Sequence, residues 1–577
     1  MEDRIYREWL AGVLPEEREE LLAIGKNPQE LKERFALELA FGTAGMRGEV
    51  GMGTYRMNRY TVMRATRGLA NYVRSLGEAG CRRGVVISYD TRRFSRVFAI
   101  TVAEVLSAYG VNAFLFEDVR PVPMCSFAVR YFGAAAGVMI TASHNPKEYN
   151  GYKVYGEDGA QMAPEPTAEV VRFIRENPGY FDVKTTPIAD DFRGKDNVKL
   201  NDYVTVIGKT VDEAYYDAIL KLSLSPELTA ERGKDIKLVY TPVHGAGYIP
   251  VTTTFRKLGI RPEIVKEQAM PDTEFSTVKV PNPEQAETLS MGIALGKQTG
   301  ADVVLGTDPD CDRLGVAVRD DKGEFVLLSG NQIGVLMIDY ILTRLKERGE
   351  LPQNGAIVKT IVTTTLADRL AKSYGLTVFN VLTGFKYIGE KIKEWEASGE
   401  YTYLFGYEES YGTLRGTHAR DKDAVVGSML FAELCLYWES RGKTVYQRLD
   451  ELFRRFGYYA ERNTSIVYKG LDGMQEMANV MKALRARKVE AIGDQPVCTV
   501  KDYLTRTAVS QDGTVEPIDL PQSDVVYFEL ADGQFVCVRP SGTEPKLKIY
   551  VLVYADDKAA ADRKADRTMA AIKEILA

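Results

Sequence analysis

The stretch GVVISYDTRRFSRVFAITVAEVLSAYGVNAFLFED, residues 84–118, decides the fold class. GVVISYD (84–90) and AFLFED (113–118) are short apolar runs that end in charge, and the segment 96–109 between them carries its apolar residues at helical spacing. Directly downstream, the helical PMCSFAVRYF (123–132) leads into a third apolar run, AAAGVMIT (134–141). Short buried strands alternating with amphipathic helices predict an α/β layered domain.

The same alternation returns twice. IKLVYTP, YIPVTTTFRKLG, PEIVKE, a helix near 286–298 and DVVLGTD fill 235–318; GAIVKTIVTT, LADRLAKSYG, LTVFNVL, FKYIGEKIKEW and YTYLFGYEES fill 330–440. The repeat is one of architecture, with no alignable sequence period. Upstream, the first 40 residues read as helical, with Asn27 and Pro28 as a cap and first-turn pair. From about 461 the pattern changes to a helix through GMQEMANVMKALRAR, clustered strands VVYFELADG, QFVCVRP and KLKIYVLVYA, and a final helix, which suggests a smaller α+β domain. The expected division is 1–205, 206–325, 326–460 and 461–577. It agrees with a length of 577 residues, since at about 150 residues per domain the chain should form about four.

Composition narrows the class. A net charge of −6 gives no basic field for nucleic acid or anionic lipid, so an anionic ligand must meet local cations. Six cysteines, Cys81, Cys125, Cys311, Cys435, Cys498 and Cys537, lie at least 39 residues apart, which indicates neither a disulfide scaffold nor a zinc ribbon. The acidic start MEDRIYREWLAGVLPEEREE does not read as a signal peptide, and YFGAAAGVMI (131–140) is too short to span a bilayer. A cytoplasmic protein is the expectation, with no nucleic-acid or membrane partner, as a monomer or weak homodimer.

Ligands of open α/β sheets bind outside the carboxyl ends of the strands, so the loops there are where chemistry is sought. ITASHNP (140–146) sets the Ser143 hydroxyl in such a loop, where it can serve as a nucleophile or simply cap a turn, as can Asn145. GTDPDCDR (306–313) gathers Asp308, Asp310 and Asp312; three mutually repelling carboxylates call for a hard divalent cation, although solvated turn aspartates are the plainer alternative. An EF-hand loop is excluded by Arg313 and Arg319 where it needs Gly and Glu. In GYEESYG (406–412), Glu408 and Ser410 would project to one side of an extended chain and could grip neighbouring sugar hydroxyls. RPSGTEPKLKIY (539–550) offers the hydroxyls of Ser541 and Thr543, backbone N–H groups around Gly542, and the cations Arg539 and Lys546 as a phosphate cradle. Loop cations are scattered elsewhere: Arg47 in FGTAGMRG, Lys153 in NGYKVYGEDGAQ, Lys386 in TGFKYIGE, and His418, Arg420 and Lys422 in HARDKD. Each alone reads as surface charge.

Taken in order, FGTAGMRG, TASHNP, DPDCDR, GYEES and RPSGTEPK resemble the signature set of the α-D-phosphohexomutases, over nearly the whole chain from about residue 40. The long N-terminal helical region and EES rather than EMS resemble the phosphoglucomutase side, particularly the branch that also holds phosphopentomutases and a glucose 1,6-bisphosphate synthase. The resemblance implies three related α/β domains and a C-terminal domain around one cleft. It implies a phosphoserine at Ser143 and one Mg²⁺ held by that residue with Asp308, Asp310 and Asp312. Substrate contacts would fall on Thr43, Arg313, Thr383, Gly384, Lys386, Glu408, Ser410, Arg420, Arg539, Ser541, Gly542, Thr543 and Lys546. Acid–base candidates are His144, Lys153, Arg47 and Lys422.

The reaction implied is a pair of phosphoryl transfers that interconvert glucose 1-phosphate and glucose 6-phosphate, with glucose 1,6-bisphosphate as intermediate and activator. Alternatives on the same site are a phosphopentomutase acting on ribose or deoxyribose phosphates, a phosphomannomutase, and a bisphosphate synthase. Tyr411 and Gly412 stand where the dual-specificity phosphomannomutases have Gly-His, which makes mannose phosphates the weaker alternative. Two further classes are a silent sugar-phosphate binding protein and a phosphatase of haloacid-dehalogenase type. Asp312 departs from the second, which usually carries Thr or Val there.

Overall fold

A computed structural model describes residues 2–42, 45–468, 473–541 and 546–577. Among these residues four sheets follow one another along the chain, three covered by helices and the last antiparallel with helices on one side. The first sheet has the order Gly45–Glu49, Tyr149–Tyr155, Ala136–Ile140, Val85–Tyr89, Ala113–Phe116, Val204–Ile207, Val198–Lys199. Its centre is parallel: Val85–Tyr89 pairs with Ala113–Phe116 on one side and Ala136–Ile140 on the other. Both of its faces are covered, so Val85–Tyr89 is buried at every position. The flanking helix Ser95–Ala108 turns Phe98, Ala99, Val102, Ala103 and Leu106 onto the sheet.

The second sheet runs Phe325–Leu327, Leu314–Arg319, Val303–Thr307, Leu238–Thr241, Glu263–Ile264. The third runs Thr377–Val381, Gly355–Thr360, Thr402–Tyr407, Thr413–Leu414. The C-terminal sheet opens with Tyr458–Val467, which pairs along its length with Lys546–Ala555. No helix among the described residues is long and apolar enough to cross a membrane.

The units share cores. One cluster joins Met124 and Phe127 of the first unit, Tyr240 and Leu305 of the second, and Tyr340, Phe431 and Leu434 of the third. The helix Ala424–Glu439 is apolar all round because it lies inside that junction. A separate cluster, Ile361, Val362 and Leu382 with Phe535, Cys537, Tyr550 and Leu552, seats the C-terminal sheet on the third unit. Loops of the first three units thereby converge on the segment 309–314.

Candidate active site

Ser143 lies three residues beyond the strand Ala136–Ile140, nearly buried, with a left-handed φ of 52°. Its backbone N–H donates to Thr141 Oγ1 at 2.8 Å, and its hydroxyl donates to Asp308 Oδ2 at 2.9 Å. His144 Nδ1 is 3.2 Å from the same hydroxyl. Burial, together with Arg313, Arg47, Arg92 and Lys153, pushes the His144 imidazole well below its usual range, so it is neutral at pH 7. Arg47, on a strand paired with Tyr149–Tyr155, donates to Asn145 Oδ1 at 2.7 Å and so braces the serine loop from its outer side.

The three aspartates follow the strand Val303–Thr307, and one carboxylate oxygen of each lies within 4.8 Å of the others. All three are buried. Asp308 Oδ1 accepts from the N–H groups of Asp312 and Arg313, both at 3.0 Å, which aims its other oxygen at Ser143. Oδ1 of Asp310 and Oδ1 of Asp312 are buried without a hydrogen-bond partner. Two orphaned carboxylate oxygens beside a third carboxylate and a hydroxyl are the donor set a hard divalent cation takes. Burial and repulsion from Asp310 and Asp312 push Asp308 well above the carboxylate range.

Two lysines close the cluster. Lys153 Nζ lies 2.8 Å from Asp310 Oδ2 and 3.4 Å from Asp312 Oδ2; Lys422 Nζ lies 3.3 Å from Asp312 Oδ2 and 2.9 Å from Asp421 Oδ1. Burial alone would lower both ammonium groups, but the carboxylates around them raise both, so each keeps its proton. Arg313 is paired with Glu284 of the segment PNPE. The metal loop is clamped from three units: Val122 N–H donates to Asp310 O at 3.0 Å, Ala246 N–H to Pro309 O at 2.8 Å, and Leu314 N–H to Tyr411 O at 3.1 Å.

The third strand ends at Tyr407, and 408–412 form a turn in which Glu408 N–H donates to Gly412 O at 2.9 Å and Tyr411 has φ 70°. The extended spacing expected for Glu408 and Ser410 therefore does not hold; the turn is what presents them. Glu408 Oε1 accepts from Gly384 N–H at 2.9 Å. Gly384 has φ 121°, which only glycine adopts without strain, so glycine is what lets this backbone N–H face Glu408. Lys386, in the first turn of Phe385–Ser398, lines a cavity of about 540 Å³ between the first and third units, together with Glu390 and Lys393. Ser143, the aspartates and Glu408 lie outside that lining.

Arg420 and His418 serve the scaffold. The Arg420 guanidinium, 1% exposed, pairs with Glu396 and donates to Thr417 O, and His418 Nε2 is 2.8 Å from Asp423 Oδ2. Asp423 caps the helix Ala424–Glu439. In the C-terminal unit, Arg539 donates to the Tyr550 hydroxyl at 3.0 Å, and Ser541 N–H donates to Lys546 O at 2.8 Å. Thr43, Gly542 and Thr543 lie outside the described residues.

Sequence reasoning passed over TPVHGAG (241–247). A Cβ on Gly245 would stand 2.6 Å from Pro309 Cα, so this loop backs the metal loop. Its sequence signal is a His-Gly pair at the end of an apolar strand. Glu409 was also passed over. Burial and the adjacent Glu408 raise its carboxyl to about 7, against the pull of Arg539 and Lys548. A folded value above the unfolded 4.5 costs stability as pH rises from 4.5 to about 7. Glu409→Gln is therefore expected to match the parent's Tm at pH 4.5 and to exceed it by a few degrees at pH 8, which thermal unfolding at the two pH values checks.

Comparison with known proteins assigns the four units to one family. Residues 38–180, 213–323 and 329–456 match phosphoglucomutase/phosphomannomutase α/β/α domains I, II and III, and residues 474–570 match the C-terminal domain of the same family. The chain belongs to the phosphoglucomutase/phosphomannomutase family. Within that family it is 36% identical to a phosphoglucomutase of Staphylococcus haemolyticus (strain JCSC1435), over 91% of this chain and 92% of the relative. A phosphoglucomutase of Staphylococcus aureus (strain MRSA252) is 34% identical over 92% of each chain. Among solved structures, the open form of Paramecium parafusin, a phosphoglucomutase, superposes with a TM-score of 0.65 at 18% identity and 94% coverage of both chains. A family protein of Burkholderia thailandensis gives 0.64 at 20% identity, covering 92% of this chain and 96% of that one. These last two likenesses concern the family fold alone.

Proposed function

We propose that this chain is a phosphoglucomutase: it interconverts α-D-glucose 1-phosphate and glucose 6-phosphate through phosphoserine 143 and a bound glucose 1,6-bisphosphate. The observation that carries the reading is the Ser143 hydroxyl 2.9 Å from Asp308, inside a buried three-aspartate cluster. In this reading Asp308, Asp310 and Asp312, with the seryl oxygen, hold one Mg²⁺, which when bound neutralises the carboxylates and stabilises charge on the phosphoryl group.

The protein's own groups divide the remaining work. The phosphoryl on Ser143 passes to the free hydroxyl of the sugar monophosphate: the bond to Ser143 Oγ breaks, one to the sugar oxygen forms, and a proton moves from that hydroxyl to Ser143 Oγ. The bisphosphate turns, and its other phosphoryl returns to Ser143, so no phosphate is consumed. Neutral His144, 3.2 Å from Ser143 Oγ, is suited to take and return the proton there. Lys422, which keeps its proton beside Asp312 and Asp421 and has Glu408 among its charge neighbours, is suited to place positive charge on the sugar side. Arg313 adds positive charge at the reacting group, while Glu408 and Ser410 grip ring hydroxyls. Arg539, Ser541, Gly542, Thr543 and Lys546 would take the phosphate that is not reacting, with Thr43, Thr383, Gly384 and Lys386 along the sugar's path. Glucose 1,6-bisphosphate restores phosphoserine whenever the bisphosphate escapes, and the setting is a cytoplasmic enzyme.

A ³¹P NMR time course with Mg²⁺ and catalytic glucose 1,6-bisphosphate, offering glucose 1-phosphate and ribose 1-phosphate together, tests this. Faster formation of glucose 6-phosphate, without free phosphate, is expected. Faster conversion of the pentose would overturn the glucose assignment, and net phosphate release would overturn the mutase.

A further inference from the structure

Arg92 sits in the charged turn that follows the strand Val85–Tyr89, 51 residues from Ser143, and is fully buried. Its guanidinium donates through Nη2 to Ser143 O and Asn145 O, both at 2.5 Å, and through Nη1 to Pro146 O at 2.8 Å and Tyr149 O at 3.1 Å. Four carbonyls of one loop thus converge on one cation. Asp90 holds the other side of the arrangement. Its Oδ1 accepts from Arg92 N–H at 2.9 Å and from the Ser95 hydroxyl at 2.6 Å, and its Oδ2 lies 3.4 Å from Arg92 Nε and accepts from Thr141 Oγ1 at 2.7 Å. Thr141 Oγ1 in turn receives Ser143 N–H. Both backbone polar groups of Ser143 are therefore tied, directly or through Thr141, to the Asp90–Arg92 pair.

The second unit covers this pair. The Phe275 ring lies under the guanidinium, 5.2 Å from Cζ, and His244 meets Phe275 edge-on at 6.4 Å. Phe275 is buried at 1% exposure. Nearby, Lys147 of the serine loop is paired with Glu274 at 2.9 Å.

We infer that Arg92, seated on Asp90 and covered by Phe275, is a positioning residue that holds the Ser143 loop in its reactive conformation through both phosphoryl transfers. The need is physical. Ser143 has a left-handed backbone, which is unfavourable for a residue with a Cβ, and so must be held by its surroundings. In the mutase reading, on which this inference rests, Ser143 also gains and loses about 1.5 to 2 negative charges in each turnover. Bonds from a guanidinium to backbone carbonyls are the same in both states. Lysine cannot replace it, because its three donors radiate from one point and cannot fork across four carbonyls.

The test is Arg92→Lys, with Phe275→Leu as a milder companion that keeps an apolar side chain over the guanidinium. In Arg92→Lys, hydrogen exchange over 141–147 should rise at least tenfold, with the helix Ala424–Glu439 unchanged; kcat should fall about 100-fold, the scale of a misplaced reacting group, with KM for glucose 1-phosphate within about threefold. Phe275→Leu should shift both readouts in the same direction by a smaller factor, and it decides the matter if Arg92→Lys does not fold. Unchanged exchange over 141–147, or equal losses in kcat and 1/KM, would overturn the inference. The exchange readout needs no catalysis, so it stands even if the parent protein proves to carry no phosphoserine, a result that would sink the mutase reading by itself.

Discussion

Ser143→Ala is expected to lower mutase turnover by at least 10⁴-fold, on the order that removal of a nucleophile lowers kcat, and to abolish incorporation of label from [³²P]glucose 1,6-bisphosphate. The neighbouring Thr141 hydroxyl is not free to substitute for it, since Thr141 Oγ1 is occupied by Asp90 and by Ser143 N–H. Sugar-phosphate affinity should stay within a few-fold, because the proposed cradle around Arg539 and Lys546 stands on a different unit. Ser143→Gly separates chemistry from folding. Alanine must keep the left-handed φ of 52°, which glycine adopts freely, so the glycine variant should be the more stable while being equally inactive. Turnover above about one per cent of the parent in either variant would remove Ser143 from the nucleophile's role.

The legible part of this molecule is the part written locally. An apolar run that ends abruptly in Asp, Ser or Glu is a strand whose last residues reach a ligand-facing edge, and Asp308 and Ser143 are read that way because each follows such a run directly. The four-unit order was legible for the same reason, since helical and strand periods alternate within windows of about 15 residues. Pairings across long sequence gaps were not. Nothing near Asp90 and Arg92 announces that they hold a loop some 50 residues on, and nothing near Gly245 and Ala246 announces that they back Pro309. Local reading also overextended a strand: Glu408 and Ser410 are two apart, but chain reversal at Tyr411 governs where they point. Charge alone reads Arg420 as a solvated surface cation, whereas its guanidinium is buried and paired with Glu396.

Asp308→Asn carries the second large effect, and it has two signs. In the parent without metal, Asp308 is buried beside Asp310 and Asp312, with two orphaned carboxylate oxygens in the cluster. The amide is isosteric and fits the contacts: its oxygen can accept from the N–H groups of Asp312 and Arg313, and its NH₂ can donate to Ser143 Oγ. Removing one of three mutually repelling charges should raise Tm in EDTA by a few degrees. The same change removes a hard oxygen ligand. The rise in Tm that Mg²⁺ gives the parent by binding the folded state should largely vanish. Turnover at saturating sugar phosphate should fall on the order of 10³-fold, since metal stabilisation of the transferring group amounts to several kcal/mol and each 1.36 kcal/mol is tenfold in rate. Differential scanning fluorimetry with and without Mg²⁺, beside the coupled mutase assay, reads both signs. A variant that is destabilised in EDTA, or one that keeps the parent's Mg²⁺ response, would mean that the aspartates are gathered for a reason other than a metal. Lys153 and Lys422 already offset Asp310 and Asp312, so the charge of Asp308 is the one a metal would balance, which is why stability without metal and activity with it are expected to move in opposite directions.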